Sequence, residues 1–234
     1  MKNLSTVSLI AIMMAGPLAA NGAMIGPTPY LSSADSPFAG TPFSYFHRED
    51  FEDSLLNTPG VIASAGIVLS PAALTDSVDA DDGSVDGSGT AGHTWYSNGG
   101  SSLTFTFSAV LLGVLPTHAG LVWTDVGFAS VQDGFDTVTF EAFDAANNSL
   151  GFISPSAVGD GLFGGQTAED RFFGVTSASG IASMRITSLS STDWEIDHLQ
   201  YGLASVPSGA VPEPGTLALL IAGVAGIRFL RRRM

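Results

Sequence analysis

The chain contains no cysteine and very little positive charge. Eight of its 234 residues are Lys or Arg and 22 are Asp or Glu, a net charge of −14. The lack of cysteine excludes thiol nucleophiles, disulfide staples and zinc–thiolate sites. A chain of this length nevertheless buries enough core to fold without cross-links. Between Met24 and Val211 there is no lysine, so Schiff-base chemistry has no candidate there. Only Arg48, Arg171 and Arg185 carry positive charge in that body, against 21 acidic residues, which sets it at −18. Such a surface repels phosphate and excludes nucleic acid as a partner. It suits solubility outside the cell and the binding of divalent cations. Helical periodicity is also missing from the body, whose apolar residues recur with a period of two.

Both ends differ from that body. The N-terminus carries Lys2, an apolar stretch Val7–Ala15, Gly16-Pro17 and the small residues Ala19–Ala23. This pattern predicts a secretory signal peptide over residues 1–23, cleaved between Ala20 and Ala23. The C-terminus reads Val211-Pro212-Glu213-Pro214, then the apolar run Gly215–Leu230, then Arg231-Arg232-Arg233-Met234. As a helix the run rises roughly 24 Å at about 1.5 Å per residue. That is short for a hydrocarbon core of roughly 30 Å, a gap closed by local thinning and arginine snorkelling. Arg228, Arg231, Arg232 and Arg233 form a basic stop that holds the end on the cytoplasmic side. No face of the run is polar, which argues against an amphipathic surface helix.

This order of motif, apolar helix and arginine cluster resembles the PEP-CTERM sorting signal of Gram-negative bacteria. The residues that carry the resemblance are Pro212-Glu213-Pro214, Thr216–Phe229 and Arg231–Arg233. It implies recognition at the motif by an exosortase-type processing enzyme, after a transient stay in the inner membrane. Release or transfer to the cell surface or biofilm matrix then follows. The resemblance covers about a tenth of the chain and concerns address, not activity. The segments Leu115–Gly120, Val122–Gly127, Ala168–Val175 and Ile196–Gly202 also resemble extracellular domains of other PEP-CTERM proteins, which implies a fold and no activity.

Within the body, residues 24–42 are rich in Pro, Gly and Ser and predict a loosely tethered arm. Residues 43–202 predict an all-β domain. Leu103, Phe105 and Phe107 alternate with Thr104, Thr106 and Ser108, and Val138 and Phe140 alternate with Thr139 and Glu141. Short apolar runs at Gly120–Phe128, Leu150–Ile153, Arg171–Val175, Ile181–Ile186 and Ile196–Tyr201 are separated by turn signals such as Asp133-Gly134 and Asn147-Asn148. About ten short strands with Gly-rich loops predict an antiparallel jelly-roll-like β-sandwich. Residues 203–210 then form a flexible linker to the sorting signal at 211–234.

Three sets of residues are candidates for a site. Asp79, Asp81, Asp82 and Asp86 lie within eight residues on a Gly-rich loop, where convergent carboxylates can supply the oxygens that Ca²⁺ requires. The loop departs from the EF-hand, because Gly83 falls at a ligand position and no Glu closes it. Phe51-Glu52-Asp53 and Glu195-Ile196-Asp197 resemble the opening and closing strands of jelly-roll carbohydrate-binding modules. That resemblance implies a structural calcium held by Asp53 and Asp197, with Glu52 next. Trp95, Tyr96 and Trp123 are candidate platforms for extracellular polysaccharide, since sugars stack on exposed aromatic rings beside polar groups. No catalytic residue is assigned. A Ser-His-Asp constellation could recruit His93, His118 or His198, but no Gly-x-Ser-x-Gly elbow is present, and each histidine is expected at a turn or on the surface. The sequence therefore reads as a non-enzymatic exported surface or matrix protein with a structural or glycan-binding sandwich. The alternative is a secreted polysaccharide hydrolase with paired carboxylates.

Overall fold

In the computed structural model, the described residues are 21–72, 75–78, 92–124, 128–130, 134–135, 138–155, 158, 170–189, 192 and 194–205. In chain order the strands are β1 (Ala23–Pro29), β2 (Phe43–Glu49), β3 (Val61–Ala63), β4 (Ile67–Leu69), β5 (Thr94–Tyr96), β6 (Ser102–Phe107) and β7 (His118–Trp123). They continue as β8 (Phe128–Ser130), β9 (Gly134–Phe135), β10 (Val138–Phe143), β11 (Ser149–Ile153), β12 (Arg171–Thr176), β13 (Ser183–Ser188) and β14 (Glu195–Ala204). One helical turn, α1 (Ala109–Leu112), starts at Ser108, whose hydroxyl accepts the Leu111 amide.

Five strands make one antiparallel sheet in the order β11-β10-β13-β6-β3. Its sequence pattern explains its two faces. Leu103, Phe105, Phe107, Val138, Phe140, Ala142, Met184 and Ile186 point inward and are buried, while Thr104, Thr106, Thr139, Glu141 and Arg185 face outward. On the outer face Glu141 stands opposite Arg185 and bonds to it, and the Arg185 guanidinium lies 4.7 Å from the centre of the Phe143 ring. This sheet follows the predicted alternation.

The second sheet runs β1-β12-β7-β14-β5-β4, with β2 pairing the C-terminal half of β14. Its central strands do not alternate. Every residue from Ala119 to Trp123 is buried, as is every residue from Glu195 to Gly202. One face carries Leu121, Trp123, Phe173, Val175, Ile196 and Tyr201 into the main core, against Phe105, Phe140 and Ile186 of the first sheet. The opposite face carries Val122 and Phe172 into a second small core with Tyr30, Phe38 and Val78. A strand covered on both sides has no reason to alternate.

The cover comes from the segment expected to be a loose arm. Residues 23–29 are instead strand β1, paired with β12, and the following chain crosses the sheet to bury Tyr30 and Phe38. A capping box at Ser32 and Asp35 shapes the crossing. The Phe172 ring also crosses Gly120 and Gly174, which stand opposite each other in neighbouring strands. A Cβ on Gly120 would lie 2.7 Å from the Phe173 carbonyl, so glycine is required for the ring to lie flat on the sheet. The domain also extends beyond its expected ends. Gly22 donates its amide to the Leu150 carbonyl (2.8 Å), and β14 continues to Ala204, inside the expected linker. No helix among the described residues is long and apolar enough to cross a membrane, and the C-terminal run lies outside them.

Candidate functional site

Glu49, the last residue of β2, is buried, and its carboxylate organises the turn that follows. One oxygen accepts the Phe51 amide (3.2 Å) and the other accepts the amides of Asn57 (2.9 Å) and Thr58 (3.0 Å). Asp50 and Asp53 close local side-chain turns onto the Glu52 and Leu55 amides. The result is a tight excursion in which Phe51 and Ser54 are held in left-handed backbone conformations, at φ 58° and 66°. For residues with a Cβ this conformation costs about 1–2 kcal/mol each, and it persists because the surroundings fix it. Phe51 is fully buried and packs against Trp95, the tilted rings 5.7 Å apart between centres, while Glu52 and Ser54 are exposed.

His93 meets this turn from the other side, immediately before β5. Its amide donates to Glu52 Oε1 (2.6 Å) and its Nδ1 lies 3.2 Å from Glu52 Oε2. Its Nε2 lies 3.1 Å from Ser54 Oγ. With the proton on Nδ1, where the carboxylate accepts it, Nε2 is left as the acceptor for the Ser54 hydroxyl. The His93 side chain is 16% exposed and Glu52 38%, so the carboxylate is partly open to water while the ring is largely enclosed. A serine, an imidazole and a carboxylate in hydrogen-bonded series are what a nucleophilic hydroxyl needs to lose its proton.

Ser54 borders a groove of about 510 Å³, between the edge strands β3 and β4. Leu55, Leu56, Val61, Ile62, Ile67 and Val68 form its walls, and Trp95 lies along it. The indole is fixed in place: Nε1 donates to the Ala65 carbonyl (3.1 Å), and its ring edge rests on Gly66, where φ is +98°. Leu55, Ile62 and Ile67 are 55%, 68% and 44% exposed, so the apolar lining opens to solvent.

The sequence-predicted residues divide sharply. Trp95 lines this groove, and Glu52 lies behind it, joined through His93 to Ser54 at its border. Asp53 is exposed beside it and bonds to the Leu55 amide and the Asn57 side chain. Asp197 is buried in β14, where it accepts the Ser77 hydroxyl (2.9 Å), the Val78 amide (2.9 Å) and its neighbour's amide (2.6 Å). It serves to anchor the 75–78 segment on the outer face. Its neighbour in the same row, Glu195, accepts the Asp76 amide. The expected meeting of Asp53, Asp197 and Glu52 on a calcium therefore does not fit, and among the described residues no three His, Asp or Glu gather to hold a metal. Asp79, Asp81, Asp82 and Asp86 lie outside the described residues.

Trp123 is no sugar platform. It is fully buried, its ring 5.7 Å from Phe173 and 5.3 Å from Trp194, and a ring enclosed on both faces offers none to a ligand. Tyr96 is half-buried in β5, opposite Ile67 and Glu195. The histidines also depart from the expected surface positions. His198 is buried in a bulge of β14 at φ 41°, 3.0 Å from the Tyr30 hydroxyl, and His118 lies edge-on to Phe38 and Phe43. Burial of His47 and His118 lowers the pKa of each below its ordinary value. The relay through His93 and Ser54 was not foreseen. No sequence spacing marks it, since its members lie 39 to 41 positions apart across a loop.

The family described as the PEP-CTERM protein-sorting motif matches residues 210–233. The chain carries that signal. The motif implies export with a transient stay in the membrane and processing by an exosortase-type enzyme. The sorting motif at Val211–Pro214 and the basic stop at Arg228 and Arg231–Arg233 lie outside the described residues. No curated protein and no solved structure matches the chain.

Proposed function

We propose that this PEP-CTERM protein ends its route at the cell surface or in the extracellular polysaccharide matrix, where its sandwich presents the Trp95 groove as a ligand site. The observation that carries this reading is the juxtaposition of a sorting signal with an open, aromatic-bearing groove on the exported domain. Signal-peptide removal ahead of Gly22 would leave β1 whole, in keeping with export. The order of strands supports a jelly roll: β6, β7, β10, β12, β13 and β14 change sheet at nearly every step, and the last strand lies between β7 and β2. The groove suits a glycan face that carries apolar substituents better than a bare sugar, because its walls are aliphatic and offer few hydrogen-bonding side chains. Calcium on Asp79, Asp81, Asp82 and Asp86 stays part of the proposal on sequence grounds, and a calcium-dependent rise in melting temperature after chelation would support it.

The test follows the protein in a host that possesses the sorting enzyme. Replacing Pro212-Glu213-Pro214 with alanines is expected to retain the chain in the inner membrane with its tail uncleaved. The unaltered chain is expected in the extracellular fraction, bound to matrix polysaccharide and released by Trp95→Ala. Normal release of the alanine variant refutes the sorting half. Equal matrix binding by the Trp95 variant refutes the ligand half.

A further inference from the structure

We propose that Ser54 and His93 are catalytic residues for the cleavage of carboxylic esters, with Glu52 as their positioning residue and the acyl group seated in the Trp95 groove. The inference rests on the groove being a ligand site and adds a reaction and a substrate class to it. Its basis is geometric. Ser54 Oγ, His93 Nε2, His93 Nδ1 and Glu52 Oε2 form one continuous series with contacts of 3.1 and 3.2 Å, and a second bond from the His93 amide to Glu52 fixes the ring's approach. The nucleophile sits on a backbone outlier held by Glu49, and it opens onto the groove.

The chemistry balances without any further group. Ser54 Oγ bonds to the ester carbonyl carbon as its proton passes to His93 Nε2. The carbon–alkoxide bond then breaks, and the alcohol leaves with that proton, giving an acyl-Ser54. Water attacks the acyl carbon as His93 Nε2 takes one of its protons, and the Ser54–acyl bond breaks as His93 returns that proton to Ser54 Oγ, releasing the carboxylic acid and restoring serine and imidazole. Glu52 keeps the Nδ1 proton in place throughout and balances the imidazolium.

The surroundings select the substrate. Aliphatic walls at Leu55, Leu56, Val61, Ile62, Ile67 and Val68 favour a short apolar acyl chain, and no charged side chain among the described residues lines the groove to receive a carboxylate or an amine. The amides of Ser54 and Leu55 are already bonded, to the Phe51 carbonyl and to Asp53. They cannot serve the carbonyl oxygen as it gains charge. Loss of one such donor slows acyl transfer by about 10²–10³, so the activity expected is slow and directed at esters rather than at less reactive amides. Acyl groups on a matrix glycan are the natural form of such a substrate.

The experiment uses the full-length chain in lipid nanodiscs with p-nitrophenyl acetate and butyrate, together with a fluorophosphonate label. The label is expected on Ser54, and butyrate is expected to exceed acetate in kcat/KM by about an order of magnitude, since each buried methylene contributes about four-fold. Ser54→Gly suits the left-handed backbone and separates chemistry from folding. It and His93→Ala are expected to fall at least 10²-fold. Glu52→Gln is expected to lower kcat at unchanged KM, with partial recovery in Glu52→Asp. Absence of both turnover and label in the unaltered chain overturns the proposal, as does undiminished turnover in Ser54→Gly. Quenching of Trp95 fluorescence by the butyrate ester in Ser54→Gly reports the groove separately. Binding without turnover in the unaltered chain removes the esterase alone, and no binding removes the groove reading with it.

Discussion

Replacement of Glu49 by Gln tests what holds the 50–58 turn, and with it the whole candidate site. The buried carboxylate accepts three backbone amides, one through Oε1 and two through Oε2. A glutamine can turn its oxygen toward Asn57 and Thr58 and keep those two bonds in weaker, uncharged form. Its NH₂ then faces the Phe51 amide, donor against donor. Hydrogen bonds to a charged group contribute about 1.5–3 kcal/mol each, against about 1 for neutral ones, so one lost bond and two weakened ones amount to about 2.5–7 kcal/mol. If the turn and domain unfold together, that lowers Tm by roughly 5–28 °C at 2–4 °C per kcal/mol for a chain of this size. If the turn opens alone, the loss appears as faster hydrogen exchange at Phe51, Asn57 and Thr58, with Tm unchanged. Exchange and melting together therefore cover both cases. Unchanged exchange at the three amides together with an unchanged Tm in Glu49→Gln would refute this role of the carboxylate.

Three further substitutions probe the outer face of the larger sheet. Gly120→Ala is expected to destabilise by about 1–3 kcal/mol and more than Gly174→Ala, because the new Cβ meets both the Phe172 ring at 2.4 Å and the Phe173 carbonyl oxygen at 2.7 Å, whereas at Gly174 only the Phe172 ring, at 2.6 Å, comes nearer than 3 Å; urea titration of both variants decides the order. His118 has its pKa lowered below 6.5 by burial, so the folded state takes up a proton less readily than the unfolded chain. Its contribution to stability is present above about pH 6.5 and is lost as pH falls through the lower folded value; His118→Asn should flatten the acid limb of a stability–pH profile, leaving the share due to His47, and an unchanged slope would refute the assignment.

The five-stranded sheet was legible because one of its faces meets water. Thr104, Thr106 and Thr139 mark that face, and the period of two follows from it. The seven-stranded sheet was legible only as a set of short apolar runs. Its second cover, Tyr30 and Phe38, lies in a segment whose Pro and Gly content reads as loop, and a single aromatic residue in such a segment carries no periodic signal. The same limit applies to the tryptophans. Trp95 and Trp123 both stand beside polar residues in sequence, yet one borders a groove and the other is enclosed by Phe173 and Trp194. In the candidate site, Glu52 was read as a calcium ligand and His93 as a turn or surface residue. What joins them is a left-handed turn built from Phe51 and Ser54, residues that give no glycine signature at positive φ. Long-range hydrogen bonds across a loop have no local sequence counterpart.

The course of β14 ties the site to the sorting signal. Its first residues, Glu195 and Ile196, pair with Tyr96 and Trp95 beside the groove, and its last, Leu203 and Ala204, pair with the start of β2. At about 3.3 Å per residue, the eight steps from Ile196 to Ala204 separate the two ends by roughly 26 Å. The chain leaves the sandwich at the far end, where the Ser205 amide bonds to the Pro42 carbonyl. A domain held by its C-terminal tail thus carries Trp95, His93 and Ser54 at the end of β14 away from its attachment. Sorting and the proposed ligand contact are then expected to be separable properties of one chain, and loss of the Pro-Glu-Pro motif is expected to change where the groove is displayed without changing its shape.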